Sequence, residues 1–172
     1  TDNPLAGNVP NSRYFPSRHS GSAITAWRPI SWKAIFCAGC FPAVAIGMAK
    51  RFPNVRIILD HGARPVLEDG PPYKAAASLF ELARYANVYL KLTPRIFAES
   101  RRGKATPETF FARLVSEFGA PRLAWGSNYP SSEGKLPELL KVARESVASL
   151  TAADREWIFA KTAQTLYPAL AD

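Results

Sequence analysis

Val55-Arg56-Ile57-Ile58-Leu59-Asp60-His61-Gly62 is the stretch that decides the fold. Its first five residues are mostly apolar and β-branched with no strict polar alternation, the pattern of a strand covered on both faces and therefore of a parallel sheet. Phe52-Pro53-Asn54 breaks the chain just before it. Further upstream Phe41, Val44, Ala45 and Met48 fall on one helical face, and Lys50-Arg51 occupy the last turn, where cations suit the helix dipole. The helix–strand unit then recurs. Asp69-Gly70-Pro71-Pro72 make a loop, residues 73–85 a helix burying Leu79, Leu82 and Ala83, and Val88 to Thr93 a second strand. Thr106-Pro107 open the next helix as N-cap and first-turn proline, Phe110, Phe111, Leu114, Val115 and Phe118 line it, and Gly119 ends it. Arg122 to Ser127 read as a third strand. Two helices follow, one from Leu136 to Leu150 and one from Thr151 to about Tyr167, the latter opened by a capping-box pattern in Thr151 and Asp154.

The strand starts at Val55, Val88 and Arg122 recur at intervals of about 33 residues, close to the ~31 per unit of an eightfold β/α barrel of about 250 residues. The expected class is α/β with right-handed crossovers. A closed barrel needs at least about 200 residues, so the expected architecture is an incomplete (β/α)8 TIM barrel with about three to four parallel strands and flanking helices. Residues 1–40, rich in Pro, Ser, Asn and Gly, read as an irregular N-terminal arm, with one obscured strand near Ala34–Cys37; residues 41–172 read as the barrel-like domain. Uncovered edges of such a sheet invite pairing, so a homo-oligomer is one expected partner arrangement.

Composition narrows the functions. With 172 residues and 47% hydrophobic content the chain is one domain with material for a core. Its 22 Lys+Arg against 14 Asp+Glu give a formal charge of +8, but the cations are scattered and only Arg101-Arg102-Gly103-Lys104 is dense, which argues for a small anionic substrate and against nucleic acid. There is no run of ~20 apolar residues and no signal-peptide core at the N-terminus, so the expectation is a cytoplasmic chain without membrane association. Cys37 and Cys40 lack the second pair that a structural zinc site needs and read as incidental thiols.

In parallel α/β folds reactive groups gather at the carboxyl ends of the strands. Those ends carry Asp60-His61-Gly62-Ala63-Arg64, then Lys91, Thr93 and Arg95, then Ser127-Asn128-Tyr129-Pro130. His61 reads as an acid–base group or metal ligand, or as a structural histidine bound to its loop. Asp60 orients the ring or closes a turn. Lys91 is an anion partner if it faces the barrel mouth, and a snorkelling side chain if it faces the helices. Arg64 and Arg95 are candidate holders of a substrate carboxylate, with Tyr129 beside them, whereas Arg101 and Arg102 read as solvated loop charges. Asn128 can donate and accept hydrogen bonds but cannot take a proton from water at neutral pH; otherwise it begins a turn.

Phe52 to Pro65, Asn87 to Thr93 and Arg122 to Pro130, together with the ending Thr162-Ala163-Gln164-Thr165-Leu166-Tyr167-Pro168, resemble in order the C-terminal half of the amidohydrolase 2 family, TIM-barrel metal-dependent hydrolases that include lactonases and related decarboxylases. The resemblance covers roughly residues 41–170 and implies hydrolysis of a lactone or C–N bond, with His61 as the active-site histidine of a D-H-x-x-x-P strand end. It places Asn128 where the family has the aspartate of G-S-D-[YF]-P, a base and metal ligand. It also implies a divalent metal, zinc, toward which His61 is the one retained ligand; the family's first-strand H-x-H is absent, since His19 stands alone. The contrasting expectation is a truncated or degenerate, non-catalytic paralogue that binds a partner through its sheet edges.

Overall fold

Ile57, Ile58 and Leu59 are all buried, as a strand covered on both faces requires. They belong to β2 (Arg56–Leu59) of a parallel sheet whose other strands are β1 (Lys33–Phe36), β3 (Val88–Leu92) and β4 (Leu123–Trp125). This is a computed structural model, and it describes residues 33–36 and 42–170. The four strands lie in the order β1-β2-β3-β4, each neighbour reached through a helical crossover, which is the winding of consecutive barrel units. α1 (Pro42–Arg51) joins β1 to β2, α2 (Ala77–Leu82) joins β2 to β3, and α3 (Pro94–Glu99) with α4 (Pro107–Phe118) joins β3 to β4. α5 (Leu136–Ser146) follows β4, and a last helical run comprises α6 (Ala152–Glu156), a π-helical turn at Trp157–Lys161 and α7 (Thr162–Leu166). β1 occupies the place of the obscured strand expected at Ala34–Cys37; residues 1–32, His19, Cys37, Cys40 and Phe41 lie outside the described residues.

The two sheet faces do different work. Ile57, Leu59, Val88, Leu90, Leu92 and Leu123 join the core formed with the helices. Its largest buried side chains include Phe97, Phe110 and Phe111, whose rings meet at 5.2 Å (Phe97–Phe111) and 5.1 Å (Phe110–Phe111) between centroids. Strand alternation and register put Ile58, Tyr89, Lys91 and Ala124 on the other face. α7 closes part of that face from below: the Arg56 guanidinium, at the N-terminal end of β2, donates to the Thr165 carbonyl at 3.1 Å. Beside it a cavity of about 150 Å³ is lined by Ile58, Ala124, Trp125, Leu166 and the Lys91 side chain.

Several boundaries depart from the sequence expectation, each for a local reason. α1 buries Ala45 and Ala49 while Val44 is half exposed; the small side chains suit its packing on α2. The helix expected over 73–85 contracts to α2 behind a short 3-10 turn at Lys74–Ala76. Tyr73 sits at φ 54°, outside helical geometry, with its hydroxyl 2.6 Å from Thr109 Oγ1. At the other end Arg122 draws off the carbonyls of Ala83 and Tyr85, at 2.9 and 2.8 Å, while donating from Nε to Phe118 O at 2.6 Å. α3 falls in a stretch that carries no helical periodicity in the sequence; Pro94 starts it as a first-turn proline. The predicted caps at Thr106 and Thr151 form, accepting from Thr109 N at 3.3 Å and Asp154 N at 3.1 Å.

Candidate active-site rim

The strand-end loop of β2 is built from an unusual backbone. His61, Gly62, Ala63 and Arg64 all have positive φ, between 52° and 63°, so four successive residues sit in the left-handed region. For each of the three non-glycine residues this conformation costs on the order of 1 kcal/mol or more, so the surrounding packing holds the turn in place. Gly62 is pressed against α3: a Cβ there would lie 2.9 Å from Ile96 Cδ1. The turn presents the His61 ring to the end of β3, where Nδ1 lies 2.7 Å from Thr93 Oγ1.

Lys91 belongs to the same cluster, on the face of β3 opposite the core that contains Leu90 and Leu92. Its Nζ is 3.0 Å from Asp60 Oδ1, with the two side chains 32% and 14% exposed. This is a charge contact rather than an aligned hydrogen bond, because Asp60 Oδ1 is buried without a hydrogen-bond donor among the described residues. The Lys91 stem crosses Gly126, where a Cβ would meet Lys91 Cε at 2.6 Å, so a side chain at 126 would displace the ammonium. Asp60 therefore serves Lys91, and Thr93 rather than Asp60 orients the histidine.

The expected site residues divide accordingly. His61 and Lys91 are brought together with Asp60 and Thr93. Arg64 and Arg95 flank His61 and open onto a cleft of about 340 Å³ shared with Pro65, Glu68, Glu99 and Arg102. Arg95 is 3.8 Å from Glu99, which also meets Arg102 at 3.3 Å. Asn128, at φ 52°, uses its carbonyl to accept from Ser132 N at 2.9 Å, and its side chain bonds to neither His61 nor Lys91 among the described residues. Tyr129 is exposed. Arg101 is tied to structure, donating to Phe97 O at 2.8 Å and to Ser146 Oγ at 2.9 Å. Thr93 and Gly126 matter more than sequence reading indicates. The first was visible only as one more strand-end polar residue, and the second gave no signal because its constraint comes from a lysine 35 positions earlier.

Burial lowers the His61 pKa below its ordinary 6.5; Asp60 opposes this, and the positive charges of Arg64, Lys91 and Arg95 reinforce it. The folded chain therefore resists a proton that the unfolded chain accepts. Stability is complete above about pH 6.5, falls as the pH drops through that value and levels off below the folded pKa. Thermal melts between about pH 7.5 and 5.5 are expected to show a larger fall in Tm for the wild type than for His61→Gln; parallel profiles would remove this linkage.

The family model for amidohydrolases matches residues 30–169, most of the chain. The chain belongs to the amidohydrolase family. One amidohydrolase relative, the L-fucono-1,5-lactonase of Burkholderia ambifaria, is 30% identical over 105 residues, which are 60% of this chain and 36% of the lactonase. A zinc-bound amidohydrolase structure from Burkholderia multivorans superposes with a TM-score of 0.60 at 23% identity, covering 78% of this chain and 52% of its own. A structure from Pseudomonas putida, described as a candidate 2-pyrone-4,6-dicarboxylic acid hydrolase, gives 0.59 at 19% identity, with 83% and 56% covered. These structural likenesses show a shared barrel fold, of which the chain spans about half the length.

The described residues of this amidohydrolase do not fit a zinc ion. No group of three or more His, Cys, Asp or Glu gathers among them. The carboxylate nearest His61 in sequence is already countered by the Lys91 ammonium, and the strand-end position after β4 carries the amide of Asn128. Nor is any helix among the described residues long and apolar enough to cross a membrane.

Proposed function

We propose that the chain supplies the C-terminal strand-end site of a hydrolase that opens a lactone or C–N bond in a small anionic organic substrate by water attack. The observation that carries this reading is the single cluster of His61, Thr93, Lys91 and Asp60 at the ends of β2 and β3, the edge where parallel α/β folds place their chemistry. His61 is its acid–base group. The Lys91 ammonium stabilises negative charge developing on the carbonyl oxygen, and Arg64 and Arg95 hold a remote carboxylate in the adjoining cleft. The fuconolactonase relative and the structural likeness to a pyrone dicarboxylate hydrolase support a lactone with acidic substituents as the first substrate class to assay.

Water activation is the weak point of such a site, since an amide cannot serve as its base. Asn128→Asp is therefore expected to raise lactone turnover by about tenfold or more, read as kcat from pH-stat titration of aldonolactones and pyrone carboxylates. Unchanged turnover would remove position 128 from the chemistry. The second reading, a non-catalytic chain that assembles through its sheet edges, is favoured by one observation: neither outer edge, of β1 or of β4, has a described strand partner. Absence of turnover in both proteins, together with an oligomer on size-exclusion chromatography, selects that reading.

A further inference from the structure

Thr93 Oγ1 is a hydroxyl with one polar neighbour among the described residues. The residue is 0% exposed, and within that set the hydroxyl's hydrogen-bond contact is His61 Nδ1 at 2.7 Å. Its backbone carbonyl is occupied separately, accepting from Ile96 N at 3.0 Å in the first turn of α3.

Two proton arrangements satisfy the distance. If Nδ1–H donates to Thr93 Oγ1, the hydroxyl proton is buried with no acceptor of its own. If the hydroxyl donates to an unprotonated Nδ1, that proton is used and only oxygen lone pairs go unmet, the cheaper deficit because a buried orphan donor forfeits a whole hydrogen bond. We infer that Thr93 fixes His61 as the tautomer carrying its proton on Nε2, so that the ring offers an N–H donor to the strand-end rim. Thr93 is thus a positioning residue that acts through His61. The left-handed turn at His61–Arg64 and the contact of Gly62 with Ile96 hold the ring against α3, where Thr93 is the N-cap residue, so the pair is set by the backbone rather than by a chance rotamer. The positive charges nearest the ring, Arg64, Lys91 and Arg95, and the negative Asp60 act on how readily the ring charges, while the hydrogen-bond contact at Nδ1 is with Thr93.

The consequence for chemistry rests on the proposed function. A neutral imidazole with Nε2–H at the rim does not accept a proton from water there; it donates a hydrogen bond to the carbonyl or leaving-group oxygen, and a full proton leaves Nε2 only after Nδ1 has gained one, so that the ring ends neutral rather than as an imidazolate. His61 is then the donor side of the site, and the position after β4 is where a base belongs.

The test needs no substrate, so its failure is distinct from a failure of the hydrolase reading. The chain has two histidines, and His19→Gln leaves His61 as the only imidazole in a ¹⁵N-histidine spectrum. At pH 8, long-range ¹H–¹⁵N correlation is expected to show Nε2 protonated and Nδ1 free, with the Nε2–H form in excess over Nδ1–H by about tenfold more than in a histidine peptide measured alongside. Thr93→Ser is expected to keep that ratio and Thr93→Val to relax it to the peptide value. A wild-type ratio equal to the peptide's, or a majority of Nδ1–H, overturns the assignment whether or not the valine variant folds. So does a folded Thr93→Val that keeps the wild-type ratio.

Discussion

His61→Gln is expected to lower lactone turnover by about 10²–10⁴-fold, the range for removing a positioned acid–base group, while the chain stays folded at pH 8. The loss should fall on kcat rather than KM, because the binding of an anionic substrate is assigned to Arg64 and Arg95, which the change leaves in place. Glutamine fills much of the same volume and its carboxamide can meet the Thr93 hydroxyl, so circular dichroism and the urea midpoint at pH 8 should stay near wild type. A variant that retains more than about a tenth of wild-type kcat would take His61 out of the reaction.

Phe110→Ala is expected to cost about 3–5 kcal/mol of unfolding free energy. The Phe110 ring is fully buried and meets Tyr73 and Phe111 edge-on, at centroid distances of 5.6 and 5.1 Å. Removing it leaves a cavity bordered by both rings and withdraws the packing that holds Tyr73 at its left-handed backbone angle. A domain of this size has about 5–15 kcal/mol in hand, so the variant should be marginal at 37 °C. Urea titration should show a lower midpoint at unchanged m; a loss below about 1 kcal/mol would mean that the aromatic cluster is not the centre of the core.

What the sequence made legible is what local chemistry controls. The runs at Ile57–Leu59, Val88–Leu92 and Leu123–Trp125 declare buried strands because apolar residues dominate them, and the caps at Thr106 and Thr151 declare helix starts through a side chain three residues from its target. The fold class followed from their spacing. What stayed hidden depends on distant partners. α2 is cut short by a guanidinium 37 residues after Tyr85, the His61 ring is held by a hydroxyl 32 residues on, and Gly126 is required by a stem on the neighbouring strand. Lys91 shows the boundary between the two. Alternation fixed that it faces opposite to Leu90 and Leu92, but only the sheet's packing decides that this side looks away from the aromatic core and toward Asp60 and α7.

The hydrogen bond from Arg56 to the Thr165 carbonyl joins parts of the chain 109 residues apart. Because it fastens α7 beneath the sheet, and α7 shares with the Lys91 stem the cavity beside Ile58 and Ala124, a change in the last helix reaches the reactive edge through that stem. An affinity handle or immobilisation linker that pulls on the last helix would loosen the anchorage under Ile58 and Ala124 together with the packing of the Lys91 stem, so engineering of this chain is best begun at surfaces remote from Thr165.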